Sequence, residues 1–176
     1  MEYLCELAIK AGFKANFIYG AMDQYTREEK LMEFRRKWVN FMFVTDLAAR
    51  GIDIPFLENV VHYDFPTKMK LFIHRAGRTA RAGRMGVSYG IITQEELAYL
   101  HDLSIFVGRD HKDKCTQEEI DDFQIMCFGR LPQHLLDEYS FYTAKICDTH
   151  DTLLAPLKTS LKNSITKYLK TRDPAS

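Results

Sequence analysis

Phe41-Met42-Phe43-Val44-Thr45-Asp46-Leu47-Ala48-Ala49-Arg50-Gly51-Ile52-Asp53-Ile54-Pro55 decides the fold. Its first five residues are aromatic, β-branched or apolar and polar residues bound them, the pattern of a short buried strand. The residues after Thr45 break that pattern with carboxylates and a glycine. In an open α/β sheet, ligands sit beyond the carboxyl ends of the strands, and Thr45 to Asp53 falls there. A hydroxyl (Thr45), a glycine (Gly51) and two carboxylates (Asp46 and Asp53) at that edge suit contacts to a sugar-phosphate chain and a ribose.

Outward from this stretch the chain alternates. Met1 to Gly12 reads as an amphipathic helix with Leu4, Leu7, Ala8 and Ala11 on one side. Ala15 to Tyr19 is a strand that Gly20 ends. Thr26-x-x-Glu29 is a capping box opening a helix that keeps Leu31, Phe34 and Trp38 at helical spacing. Asn59 to Tyr63 is the next strand, with Asp64-Phe65-Pro66 as its stop. A helix over 67–77, a strand over Val87 to Ile92, and a helix capped by Thr93-x-x-Glu96 and running to about Val107 follow. Strands alternating with helices predict the α/β class, a parallel sheet with helices on its faces.

The second informative stretch is His74-Arg75-Ala76-Gly77-Arg78-Thr79-Ala80-Arg81-Ala82-Gly83-Arg84. No acid stands between Phe65 and Gln94 to neutralise its arginines. In a helical segment His74, Arg78 and Arg81, spaced i, i+4 and i+7, would point one way. Guanidinium groups aimed together suit phosphate oxygens, which their planar forks match. The competing reading is a solvated basic loop.

The chain's 176 residues carry 24 basic and 24 acidic side chains, so no global field advertises a nucleic-acid partner and any such partner needs a local patch. The length suffices for a domain with a sizeable core. Cys5, Cys115, Cys127 and Cys147 make no close pair and no metal-ligand spacing, so reduced thiols in an intracellular protein are expected. There is no signal peptide and no apolar run long enough to cross a membrane.

Together the two stretches resemble motifs V (Thr45 to Asp53) and VI (His74 to Arg84) of the C-terminal RecA-like domain of DEAD-box RNA helicases, in superfamily 2. Gly20-Ala21-Met22-Asp23-Gln24-x-x-Arg27 resembles the family segment after motif IV, which meets RNA phosphates. Asp64 and Pro66 match a smaller family element. The resemblance covers roughly residues 1–108 and implies a RecA-like domain there. It implies catalytic roles for Arg78 and Arg81 as arginine fingers on the transferring phosphoryl group, with His74 relaying between nucleotide and RNA. Asp53 would meet the ribose and Gly51 the nucleotide. Gly20, Gln24, Arg27, Thr45 and Asp46 would line the RNA backbone. ATP is the implied nucleotide. A preceding RecA-like domain of the same protein would hold the Mg2+, because these residues contain neither a phosphate-binding G-x-x-x-x-G-K-[ST] loop nor an Asp-Glu-Ala-Asp box.

The sequence departs from the family pattern in two ways. Ala80 stands where the family usually shows a glycine, which restricts the turn. The apolar strand that carries motif IV is also missing ahead of the first helix, so an incomplete sheet is expected. Such a sheet would fold marginally, pair with a second copy, or be filled by the chain's own C-terminal helices; the expectation is a dimer, because no strand-like run follows residue 115.

Beyond residue 108 the character changes, and 109–176 reads as a helical extension. Residues 109–114 are a charged junction, Thr116-x-x-Glu119 caps a helix, and two more helices cover about 133–148 and 150–170. Leu153, Leu154, Leu157, Leu161, Ile165 and Leu169 form an apolar stripe, and lysines decorate the last helix. A solvated lysine face is the plain reading and contact with RNA or a ribosomal partner the sharper one. Gly108-Arg109 and the ending Tyr168 to Ser176 resemble the nucleolar subfamily that assists large ribosomal subunit assembly. This implies a nuclear, nucleolar location and pre-ribosomal partners. Two other functions stay open from sequence: a helicase-like RNA-binding scaffold without catalysis, and a superfamily 2 DNA translocase domain.

Overall fold

Short apolar runs too brief to be helices set the architecture, and in this computed structural model, which describes residues 1–49, 57–80, 83–122, 125–148 and 153–175, each becomes a rung of a parallel ladder. Helix α1 (Glu2–Lys10) turns through Gly12, at φ +89°, into strand β1 (Ala15–Ile18). Helix α2 (Gln24–Arg35) leads to strand β2 (Phe41–Val44) and the single turn α3 (Asp46–Ala49). Strand β3 (Asn59–His62), helix α4 (Met69–Ala76), strand β4 (Val87–Gly90) and helix α5 (Leu97–Val107) follow. Strand β5 (His111–Asp113), helix α6 (Gln117–Asp122) and strand β6 (Met126–Phe128) precede the long helices α7 (Gln133–Asp148) and α8 (Leu154–Thr171).

The chain forms two compact units, one from Met1–Ile54 with Gln133–Thr171, the other from Pro55–Pro132 with Arg172–Ser176. In the first, β1 and β2 pair in parallel from Ala15↔Phe41 to Ile18↔Val44. Among the described residues, Cys5, Ala15, Ile18, Ala48 and Leu154 are its buried apolar residues. Asn16 is buried in β1 because its amide is satisfied. Its Nδ2 donates to Glu33 at 2.6 Å, and its Oδ1 accepts from Lys30 and from the Phe17 amide. Helices α7 and α8 pack against α1.

In the second unit β3 and β4 pair in parallel from Asn59↔Val87 to His62↔Gly90. Phe65, Tyr99, Leu100 and Leu103 form its core, with Phe72, Met126 and Phe128 packed on them. Gly90 lies against Phe65, whose ring atoms would stand 3.1 and 3.3 Å from an added Cβ. His62 is buried, stacked on Phe72 at 4.3 Å and bonded to Ser88 at 2.8 Å.

Four expectations need correction. The charged junction at 109–114 contains β5, and β6 is a strand within the region read as purely helical; the two pair in parallel, His111↔Met126 to Asp113↔Phe128. Cys115 and Cys127, expected as free thiols, are joined in a disulfide with Cα atoms 5.9 Å apart, while Cys5 and Cys147 are free. The cap of α2 is Asp23, not Thr26: its carboxylate accepts the Thr26 amide at 2.9 Å. That helix stops at Arg35, so Trp38 lies beyond it, with the Arg36 guanidinium 5.2 Å from its ring. The boxes at Thr93/Glu96 and Thr116/Glu119 form as expected.

Candidate nucleotide and RNA contacts

Because β1 and β2 run parallel, their carboxyl ends deliver Tyr19-Gly20 and Thr45-Asp46 to the same side of the first unit. Thr45 continues the ladder, its amide donating to the Ile18 carbonyl at 3.3 Å. It then caps α3, its hydroxyl accepting the Ala48 amide at 3.4 Å and its carbonyl the Ala49 amide at 2.8 Å. Asp46 follows as the first residue of α3, where a carboxylate suits the positive end of the helix. At Gly20 an added Cβ would lie 2.7 Å from Leu47 Cδ2, the tip of an exposed side chain that would have to turn aside. Gln24 and Arg27 stand in the first turn of α2, whose amides Asp23 caps, and Gln24 Nε2 donates to Glu28 at 2.7 Å. Gly20, Thr45 and Asp46 therefore sit just past the carboxyl ends of these two strands, and Gln24 and Arg27 follow in the first turn of α2.

The second unit carries the basic stretch. Helix α4 ends at Ala76 with Gly77 as its C-cap, within a residue of the expected end, so Arg78 lies beyond the helix. Exposed His74 occupies the last turn of α4, and Arg78 follows in the turn, its amide donating to the Arg75 carbonyl at 3.1 Å. Arg75 reaches back from α4 to the Asp64 carbonyl at 2.8 Å, tying the helix to the chain after β3. That positioning contact was not read from sequence, although Asp64 itself stood out. Thr79 is buried, with its hydroxyl on the Ala76 carbonyl at 2.9 Å and a bridge to Leu57.

Ala80, the departure noted in sequence, adopts φ +53°, the left-handed region that glycine occupies at little cost. Gly86 packs on this turn, where an added Cβ would fall 2.6 Å from Thr79 Cβ and 2.7 Å from the Ala80 amide nitrogen. Arg81, Gly51 and Asp53 lie outside the described residues. Among the described residues no cluster of three or more His, Cys, Asp and Glu is placed to hold a metal ion.

The helicase conserved C-terminal domain matches residues 1–83, a span that includes Thr45 to Asp53 and all but the last residue of His74 to Arg84. Over the whole of this chain, the ATP-dependent RNA helicase dbp10 of Emericella nidulans is 39% identical, and ddx54 of Dictyostelium discoideum is 40% identical. This chain belongs to the DEAD-box helicase family. It spans only 19% and 16% of those two relatives. Among solved structures, the yeast DEAD-box splicing factor Prp28 is similar at 28% identity and TM-score 0.60, over 79% of this chain and 28% of that one. The E. coli DEAD-box protein SrmB is similar at 28% identity and TM-score 0.61, over 76% of this chain and 69% of that one. The parallel strands with flanking helices are thus those of a RecA-like DEAD-box C-terminal domain.

Proposed function

We propose that this chain is the part of an ATP-dependent RNA helicase that completes its nucleotide site with arginines and grips the RNA backbone. The observation that carries this reading is the helicase C-terminal match over residues 1–83, which takes in both the strand-end residues and the arginine-rich turn. Residues 1–108 are the RecA-like domain on this reading and 109–176 a helical extension. ATP, bound with Mg2+ on a preceding RecA-like domain, supplies the free energy of phosphoryl transfer. Arg78 and Arg81 are the fingers that offset charge developing on the transferring group. Such groups are worth roughly 10³–10⁵ in rate. His74 links that site to the RNA side, and Gly51 and Asp53 meet the nucleotide and its ribose.

Gly20, Gln24, Arg27, Thr45 and Asp46 contact phosphate and sugar. Backbone contacts position RNA without reading its sequence. The exposure of His74 and the place of Arg78 just past a helix C-cap suit an anion arriving from outside the unit. Identity to dbp10-named relatives along the whole chain, with the Tyr168-to-Ser176 ending, supports a role on pre-ribosomal particles in the nucleolus. The deciding experiment is ATP hydrolysis by the full-length protein with RNA or DNA added. RNA stimulation, and its loss in Arg78→Ala and Arg81→Ala with ATP binding largely kept, is expected. DNA stimulation instead would favour the translocase reading, and no stimulation the scaffold reading.

A further inference from the structure

Beyond the carboxyl ends of β1 and β2 the first unit encloses a cleft of about 280 Å³. One wall is Tyr19 and Thr45, the residues that directly follow the two strands. The facing wall belongs to α8, which presents Ser160 and Ser164 one helical turn apart. Glu2, at the start of α1, lines a third side beside Met1 and Tyr3, and Leu157 and Leu161 of α8 add apolar surface. Lys158 and Lys162 of the same helix as the serines do not line it.

This lining decides what the cleft accepts. The Glu2 carboxylate accepts hydrogen bonds from sugar hydroxyls, as acidic residues do on ribose elsewhere. The hydroxyls are also complementary in sense. Ser164 donates its hydrogen to the Ser160 carbonyl at 2.9 Å, which leaves its oxygen as an acceptor. The Thr45 oxygen already accepts the Ala48 amide, which leaves its hydrogen to donate. A 2′-hydroxyl both donates and accepts, and it distinguishes RNA from DNA. We propose that this cleft takes a ribose of single-stranded RNA, with Ser160 and Ser164 of α8 completing the RNA edge that Thr45 begins. The C-terminal extension would then be part of the substrate site and would favour RNA over DNA. The inference rests on the reading of Thr45 as an RNA contact.

The test measures fluorescence anisotropy of a labelled short oligouridine and of its deoxy counterpart, at fixed salt, with the full-length protein. Ser160→Ala with Ser164→Ala should weaken RNA binding about tenfold, the worth of two ordinary hydrogen bonds, while DNA binding stays unchanged. Ser164→Thr, which keeps the hydroxyl, should retain most of the affinity, and unchanged circular dichroism melts should show that both variants fold. Equal weakening on RNA and DNA would mean a phosphate contact and overturn the ribose assignment. Unchanged or tighter RNA binding would make α8 a bystander or a shield. Thr45→Ala separates the two readings: if it weakens RNA binding while the serine variant does not, only the present inference fails, and if neither does, the wider RNA reading falls too.

Discussion

Arg172 and Glu96 form an ion pair at 2.8 Å, with 10% and 9% of their side chains exposed. The guanidinium also lies 4.3 Å over the Tyr99 ring, and the Tyr99 hydroxyl donates to the Asp173 carbonyl at 2.5 Å. Glu96 also caps the turn before α5, because its other oxygen accepts the Thr93 amide at 2.8 Å. The residues after α8 are therefore an anchored part of the second unit, with Ala175 packed on its core. Removing one partner of a buried pair strands the other charge, so Arg172→Ala should cost about 3 kcal/mol in urea unfolding. Glu96→Ala should cost more, because the cap goes as well, and the double variant should cost less than the sum. Additive losses would show that the pair is not coupled.

Ala80 holds φ +53°, a conformation that costs an L-residue about 1–2 kcal/mol. Glycine removes that strain but raises the entropy of the unfolded chain by about 0.5–1 kcal/mol. Ala80→Gly should accordingly stabilise the protein by up to about 1 kcal/mol, read as a higher denaturant midpoint at unchanged slope. A destabilised variant would mean that the turn relaxes in solution.

What could be read from sequence and what could not divides along physical lines. The strands at Ala15, Phe41, Asn59 and Val87 were legible because aromatic and β-branched runs have few other uses. Strand polarity placed Thr45 and Asp46 at a ligand-facing edge in the sequence, whereas Gly20 was singled out by the family resemblance. The β5 strand, His111-Lys112-Asp113, was not: it is charged and short, and pairing with β6 rather than burial makes it a strand. Asp23 displaced Thr26 as cap because either offers a side-chain oxygen, and only the start of the helix decides between them. The α8 stripe was half right: Leu154 is buried, but Leu153 and Leu169 remain 60% and 62% exposed. Nothing local in the sequence announces Glu96 as a partner of Arg172, because 76 residues separate them.

The Asp23 carboxyl offers a pH test. The Thr26 amide and hydroxyl hydrogen-bond its ionised form and hold its pKa below the ordinary carboxylate range. A group whose folded pKa is lowered stabilises the fold above its unfolded value, about 3.9, and that contribution is lost as pH falls through the folded value. Since Asp23 is open to solvent, the effect on stability is small and the better readout is local. Its NMR titration midpoint should fall below the ordinary value and return towards it in Thr26→Pro, which removes the donating amide. An ordinary midpoint in the parent would mean the cap is not made.

Two glycines separate packing from contact with RNA. At Gly20 an added Cβ meets the tip of Leu47, which is 70% exposed and can rotate away. At Gly86 it meets backbone, the Ala80 amide nitrogen at 2.7 Å, in a turn already strained. Gly86→Ala should thus cost about 1–3 kcal/mol, and Gly20→Ala well under 1 kcal/mol. If Gly20 also borders RNA, its variant should bind oligouridine more weakly at near-parental stability. Equal destabilisation of the two variants would refute the distinction.

The Cys115–Cys127 disulfide closes a loop of sequence separation 12 that contains α6. Cross-linking a loop of this size removes unfolded-state freedom worth about 3 kcal/mol in the chain-entropy account. The strands it joins are short, and three paired residues give a ladder little strength of its own. Reduction should therefore lower the urea midpoint of the parent and leave that of Cys115→Ser with Cys127→Ser unchanged. Thiol titration of the unreduced, denatured parent should find the thiols of Cys5 and Cys147 only. Four reactive thiols, with a midpoint indifferent to reductant, would show that the two cysteines stand side by side without a bond and that β5 and β6 hold together by backbone pairing and the contacts of Met126 and Phe128 alone.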